Sequence, residues 1–136
     1  MSEALTPIPV PEMTELSRPF WDALRLGTLT FQRCQACGHA WLPARSECPS
    51  CLGNAWQREA ATGNARLVSW VVYHQPYHPA FKQRLPYTVA AVQLDEGPRM
   101  ISNIVGADAA PLQIDQRLRL RIENEGAISV PHFTPV

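Results

Sequence analysis

The four cysteines of the chain form two matched C-x2-C pairs, Cys34 with Cys37 and Cys48 with Cys51, separated by ten residues. No other cysteine occurs in the 136 residues. A C-x2-C turn places two sulfurs on the same side of a tight loop, and two such loops facing each other supply the four corners of a tetrahedron. Zn²⁺ is the usual occupant of such a site. Because protein thiolates fill all four positions, the predicted role of the metal is structural.

Other uses of paired cysteines compete with zinc. Disulfides are typical of secreted chains, whereas residues 1–10 contain neither the basic stretch nor the apolar core of a signal peptide. A redox dithiol needs one C-x-x-C pair and not two matched pairs. A rubredoxin-like iron site stays open, because sulfur geometry alone does not separate iron from zinc. We expect His39 to be a bystander and expect Arg33 and Arg45, which flank the cluster, to offset its negative charge.

Charge and hydropathy restrict the class of partner. The chain has 12 basic and 12 acidic residues, so four thiolates and one Zn²⁺ bring its formal net charge to −2. Zinc ribbons that bind nucleic acid usually sit in strongly basic chains, so single-stranded nucleic-acid binding ranks as the alternative function. No apolar run approaches the ~20 residues of a membrane span. With no targeting motif, the expected compartment is the cytoplasm.

The chain divides into three expected parts. Residues 1–13 contain three prolines and no periodicity, which predicts an extended arm. Residues 14–60 predict a helix and a zinc ribbon, with Ser17 capping the helix and Gly27 ending it. A short strand over residues 28–33 leads into the first cysteine pair. The ribbon has almost no apolar core of its own, so its stability should come largely from the metal.

The sequence of residues 61–136 is typical of β-strands. Strands are predicted over residues 67–73, 87–94, 99–105, 117–122 and 127–133, and residues 106–113 form a connector with at most one helical turn. Five short strands, with the only helical possibility between the third and the fourth, are the plan of an OB-fold barrel. The predicted fold is therefore mainly β, with a helix and a four-cysteine rubredoxin-like zinc ribbon followed by a five-stranded OB-fold barrel.

A set of short motifs, in this order and spacing, resembles the family called domain of unknown function 35 from about Pro19 to the C terminus. The motifs are Phe20-Trp21 with Leu24 and Gly27, Arg33-Cys34-x-x-Cys37-Gly38, Pro43-x-Arg45 ahead of Cys48-Pro49-x-Cys51, Thr62-Gly63, Pro86-Tyr87, Asp95-Glu96-Gly97-Pro98-Arg99, Val105-Gly106 and Val130-Pro131-His132-Phe133. Asp115 departs from the pattern, because many members have glycine before the fourth barrel strand. The resemblance therefore does not fix the turn at that point.

The resemblance implies a function that the residues alone do not show. Members of the family join a rubredoxin-like zinc ribbon to an acyl-CoA-associated OB-fold and accompany thiolase-fold enzymes, in which the partner chain holds the catalytic cysteine and histidine. This chain would then be a non-catalytic subunit for assembly and substrate handling. Its own residues agree, since every cysteine is committed to metal and no Gly-rich phosphate loop or recognisable triad occurs.

The loop over residues 73–81 is one candidate for substrate handling. It is rich in aromatic and imidazole groups, and Tyr77, His78 and Phe81 would line an acyl chain or a docking surface. The alternative is a self-packed loop that covers one mouth of the barrel.

Three arginines are the other candidate. Arg117, Arg119 and Arg121 share one strand face at spacings of ~6.6 Å and would meet the phosphates of coenzyme A or an acidic patch on a partner. The alternative is a solvated strand face.

Overall fold

The computed structural model describes residues 8–106 and 111–136. Within these residues the chain forms one α-helix, one 3₁₀ helix (Pro79–Arg84) and eight strands: α1 (Arg18–Arg25), β1 (Thr30–Cys34), β2 (Ala40–Trp41), β3 (Trp56–Ala60), β4 (Asn64–Tyr73), β5 (Tyr87–Leu94), β6 (Arg99–Ile104), β7 (Arg117–Glu125) and β8 (Ile128–Pro135). None of the helices in the described ranges is long and apolar enough to cross a membrane.

Two expectations fall partly outside the described residues. The predicted arm covers residues 1–13; residues 1–7 are not described, and residues 8–13 have no helix or strand. The helical turn expected in the connector 106–113 also lies largely outside, since residues 107–110 are not described and residues 111–113 are not helical.

Helix α1 begins without the predicted cap. The Ser17 side chain makes no capping hydrogen bond, and its Oγ instead accepts a 2.9 Å hydrogen bond from the N–H of Thr14. Pro19 lies in the first turn, where its missing N–H costs no helical hydrogen bond. Phe20 and Leu24, four residues apart, are the buried residues of the helix. The expected helix is therefore confirmed with Ser17 at its N-cap position, but the Ser17 side chain does not make the expected capping hydrogen bond.

The ribbon is a three-stranded antiparallel sheet with β1 between β2 and β3. Strand β3 was not predicted, because its sequence lacks alternating apolar residues. Gln32 in β1 is a buried polar residue, only 1% exposed. Its side-chain amide donates to the Arg45 carbonyl at 2.8 Å and accepts from the Arg45 N–H at 3.0 Å. This pair of bonds fixes the segment that leads to the second cysteine pair.

The second half of the chain closes into a barrel with the strand order β4-β5-β6-β8-β7. All pairings are antiparallel except that of β6 with β8, which is parallel. The five predicted strands are confirmed, although β7 and β8 extend beyond their expected ends. The 3₁₀ helix lies in the β4–β5 connection, where the sequence predicted a loop.

One hydrophobic core spans the ribbon and the barrel. Leu29 just before β1, Phe31 in β1 and Leu42 after β2 belong to the same buried cluster as barrel residues such as Val92 and Phe133. A second, smaller cluster at the outer end of the ribbon contains Cys34, Trp41 and Cys48, with Trp56 packed against it. The inner end of the ribbon is thus anchored by the barrel core, and the outer end depends on the cysteines.

Asp115 shows why glycine suits its position. Its backbone takes a positive φ of 65°, a conformation that glycine adopts without steric cost. Aspartate tolerates this conformation better than most residues. Its carboxylate also pairs with the Arg66 guanidinium, which compensates for the missing glycine.

Candidate metal centre and adjoining groove

The four cysteine sulfurs converge at the outer end of the ribbon. All four Sγ atoms lie within 4.8 Å of one another, with Cys34 to Cys51 and Cys37 to Cys48 each at 3.6 Å. A tetrahedron with metal–sulfur bonds of ~2.3 Å has sulfur–sulfur edges of about 3.8 Å. The predicted ligand set therefore forms a cluster whose size and donor type fit a tetrahedral Zn²⁺.

The two cysteine loops have the same internal hydrogen bond. The Gly38 N–H donates to the Cys34 carbonyl at 3.0 Å, and the Leu52 N–H donates to the Cys48 carbonyl at 2.8 Å. Gly38 and Leu52 both have positive φ, 79° and 64°. Leucine, and not the following Gly53, therefore takes the left-handed position in the second loop.

Backbone donors favour the thiolate form. The Cys37 N–H points at Cys34 Sγ from 3.5 Å, and this bond lowers the pKa of the Cys34 thiol to about 6. The Ser50 N–H lies 3.4 Å from Cys48 Sγ. Burial opposes ionisation of Cys48, but the N–H groups of Cys51 and Ser50 lower the pKa of its thiol. The loops therefore prepare Cys34 and Cys48 to bind a cation. At Cys37 and Cys51 a backbone N–H also lowers the thiol pKa, but neighbouring thiols and burial outweigh it, so the pKa of each is raised.

His39 and Arg33, which flank the cysteine cluster, make different contacts. His39 is exposed and lies outside the sulfur cluster, with its ring stacked on Trp41 at 6.3 Å between centroids. The Arg33 guanidinium contacts Glu59 at 2.8 Å and the carbonyls of Gly38 and Glu96 at 3.0 and 3.4 Å. Arg33 thus connects the first cysteine loop to a turn of the barrel. The positive charge of Arg33 is already paired with the Glu59 carboxylate.

A groove of about 660 Å³ lies where the residues before α1, the helix, the ribbon and the barrel meet. Strands β6 and β8 form its floor. Its lining is mainly apolar and includes Val10, Trp21 and Pro43 on the walls and Ile101 and Val130 on the floor. A groove of this volume and lining suits an apolar group of the size of a small ligand.

Three charged or titratable residues line this groove, besides Ser102 and Asn103. Arg84 and Glu125 make a two-point ion pair at 2.6 and 2.9 Å, and the Arg84 guanidinium lowers the pKa of Glu125. The buried Nδ1 of His132 has no hydrogen-bond partner among the described residues and lies 3.6 Å from a Glu123 carboxylate oxygen. The nearest charged group to this atom is therefore the Glu123 carboxylate, which does not line the groove.

The predicted binding loop contributes one residue to this groove. Phe81 lines it. Tyr77 is 76% exposed and packs edge-on against Tyr73, and His78 starts the 3₁₀ helix by accepting a hydrogen bond from the Ala80 N–H at 3.1 Å.

The three predicted arginines lie on one exposed face of β7 and none lines the groove. Arg117 pairs with Asp95 at 2.9 Å, and Arg121 lies 3.3 Å from Glu123. Any contact of these arginines with phosphate would therefore occur on the outside of the barrel.

Sequence reasoning did not single out Arg84, Glu125 and His132. Arg84 and Glu125 are 41 residues apart, so no local pattern joins them. The signal for His132 was present in the motif Val130–Phe133, but the motif gives no role to the imidazole.

Removal of one buried thiolate tests the metal centre. We expect Cys48→Ser to lose zinc and to unfold the outer ribbon, because the metal supplies ~10–16 kcal/mol in small zinc modules. Metal analysis should find one zinc per wild-type chain, and circular dichroism should show the loss of structure. The control His39→Ala should keep its zinc. A red preparation with thiolate-to-iron absorption, or a zinc-free chain that keeps its structure and heat stability, would contradict this assignment.

Two family models match adjoining parts of the chain. The model described as ChsH2, rubredoxin-like zinc ribbon domain matches residues 21–57, and the model described as ChsH2, C-terminal OB-fold domain matches residues 58–123. Among solved structures, a chain of the Ltp2-ChsH2(DUF35) aldolase is similar, with a TM-score of 0.80 and 31% identity over 93% of this chain and 98% of that one.

Two curated relatives are similar to this chain over most of its length. A probable enoyl-CoA hydratase alpha subunit of Thermomonospora curvata is 36% identical over 85% of this chain, which spans only 36% of the length of that relative. A DUF35 domain-containing scaffold protein of Methanothermobacter thermautotrophicus is 32% identical over 84% of this chain and 88% of its own length. This near full-length similarity and the two adjoining models show that the chain belongs to the DUF35 family of proteins with a rubredoxin-like zinc ribbon and an OB-fold.

Proposed function

We propose that this chain is a non-catalytic subunit of a thiolase-fold enzyme that makes or breaks carbon–carbon bonds in acyl-CoA substrates. It would act in the cytoplasm, where reduced thiols are available for metal. A structural Zn²⁺ bound by Cys34, Cys37, Cys48 and Cys51 would hold the ribbon, and the catalytic groups would belong to the partner.

The similarity to the Ltp2-ChsH2(DUF35) aldolase is the main observation behind this proposal. The name of that structure joins a DUF35 chain to a second component, Ltp2, in an aldolase. The name of the hydratase relative adds a CoA thioester as the class of substrate. Neither name identifies the partner or the substrate of this chain, so both remain part of the proposal.

The groove supplies the surface for an acyl group. Its apolar walls favour a hydrocarbon chain through the burial of apolar area. Arg84 and Glu125 neutralise each other, so the groove offers little net charge to a charged ligand. His132, Ser102 and Asn103 add the remaining polar side chains to a lining that is otherwise mainly apolar. We infer that the groove holds the acyl end of a substrate whose reacting carbon lies in the partner.

Copurification tests the assignment of the partner. A tagged chain, produced in its native host, should copurify with a thiolase-fold protein that mass spectrometry identifies. We expect the Cys48→Ser variant to lose this partner, because a ribbon without metal cannot keep the groove and its surroundings in place. If the folded, zinc-loaded wild-type chain copurifies with no thiolase-fold protein, the proposal is wrong.

A charge in the groove tests its role in substrate handling. Ile101 is 69% exposed in the lining of the groove, so Ile101→Glu should fold and keep its zinc. We expect the KM of the complex for its acyl-CoA to rise at least about tenfold, or ~1.4 kcal/mol, because an apolar chain bound there would strip water from the carboxylate without offering it a partner. The control is Leu26→Glu, at an 84% exposed position outside the groove. Equal KM values for the two variants would show that the acyl group binds elsewhere.

A further inference from the structure

Strand β4 continues beyond its pairing with β7, whereas β5 stays paired with β6 as far as Thr88. Strand β4 pairs with β7 only over residues 64–66, whereas its pairing with β5 continues to Tyr73. Beyond this contact Leu67 still exchanges backbone hydrogen bonds with residues 115 and 116. The register shifts at Val68, which marks a bulge that bends the strand away from its neighbour.

The outer edge of β4 from Val68 to Tyr73 is open. No described residue forms a backbone hydrogen bond to this edge, since β5 lies on the other side of the strand. A strand edge of this kind presents alternating N–H and C=O groups that another extended chain can pair with. Natural edges are usually protected by charged side chains or proline, and residues 68–73 contain neither.

The side chains along the open edge, residues 68–73, are uncharged and half-buried or exposed. Val71 is 54% exposed and Val72 is 44% exposed, and neighbouring strand residues point to opposite faces. Both faces of the open edge are therefore apolar. Residues 67–81 and 87–94 contain no Asp, Glu, Lys or Arg. Depletion of charge is typical of the centre of a protein–protein interface.

We propose that an extended segment of the partner enzyme subunit adds as a strand to the open edge of β4 at Val68–Tyr73. The inference rests on the proposed function and locates the interface that this function requires. A strand is the occupant that satisfies successive main-chain groups along the edge. The residues that face Val71 and Val72 should be uncharged, because a charge buried against them would lose its hydration without gaining an ion pair.

Two other occupants fit less well. Nucleic acid would need cations beside the open edge, and residues 67–81 and 87–94 have no Lys or Arg, while the one arginine of β4, Arg66, pairs with Asp115. A second copy of this chain could pair through the same edge. However, the similar structure Ltp2-ChsH2(DUF35) aldolase names a different protein as its second component. The partner subunit is therefore the occupant, and self-pairing is an outcome that the test must exclude.

Two measurements on the full-length chain test this interface. We expect Val71→Lys to weaken binding of the copurified thiolase-fold protein at least about tenfold, or ~1.4 kcal/mol, since the lysine would be buried against an apolar strand. Val71→Ile should bind like the wild type, and Leu26→Lys, at an 84% exposed position at the end of α1, should also bind normally. Amides of residues 68–73 that exchange quickly with deuterium in the free chain should become protected in the complex.

The outcomes separate the two proposals. Equal binding by the wild type and Val71→Lys, with unprotected amides at residues 68–73, would overturn the interface alone. A wild-type chain that forms a homodimer, which Val71→Lys dissociates, would overturn it in favour of a second copy as the occupant. If the wild type binds no thiolase-fold protein, the proposed function fails and this inference fails with it. Metal content and melting temperature of each variant verify that it is folded.

Discussion

Four thiolates held 3.6–4.8 Å apart repel one another, and a divalent cation makes that arrangement favourable. Apart from the metal site, few buried contacts stabilise the outer end of the ribbon. Its small cluster of Trp41, Trp56 and two cysteines is no substitute for a core. The structure of the outer ribbon therefore depends on the metal. Arg33 connects this part of the ribbon to a turn of the barrel, and Gln32 connects it to the segment before the second cysteine pair.

The inner end of the ribbon links this metal site to the proposed function. Leu29, Phe31 and Leu42 share a core with the barrel, so ribbon and barrel present their common groove as one surface. Leu42 and Pro43 form one wall, and β6 and β8 form the floor. The groove therefore exists only when both parts are folded and packed. This arrangement suits a subunit that shapes a site for another protein, because rigid elements hold the walls.

The sequence was most informative where a local pattern has one structural meaning. The cysteine spacing predicted the sulfur cluster, and the turn residues around the β-branched runs predicted all five barrel strands. Long-range contacts left no such pattern. Arg84 and Glu125 meet because the 3₁₀ helix reaches β7, and β3 pairs with β1 although its sequence is polar. Ser17 failed as a cap because its hydroxyl bonds Thr14 instead. Tyr77 was predicted to line a binding surface because it is an aromatic residue in a loop, but only the folded chain shows that it lies outside the groove.

The central claim is that this chain shapes a site without supplying the reacting groups, and reconstitution tests it most directly. The zinc-loaded chain and its thiolase-fold partner are purified separately, and turnover of an acyl-CoA thioester is measured for each alone and for the mixture. The account predicts no turnover by the chain alone, little by the partner alone, and full activity when the two are combined. Turnover of the thioester by the isolated chain would contradict it.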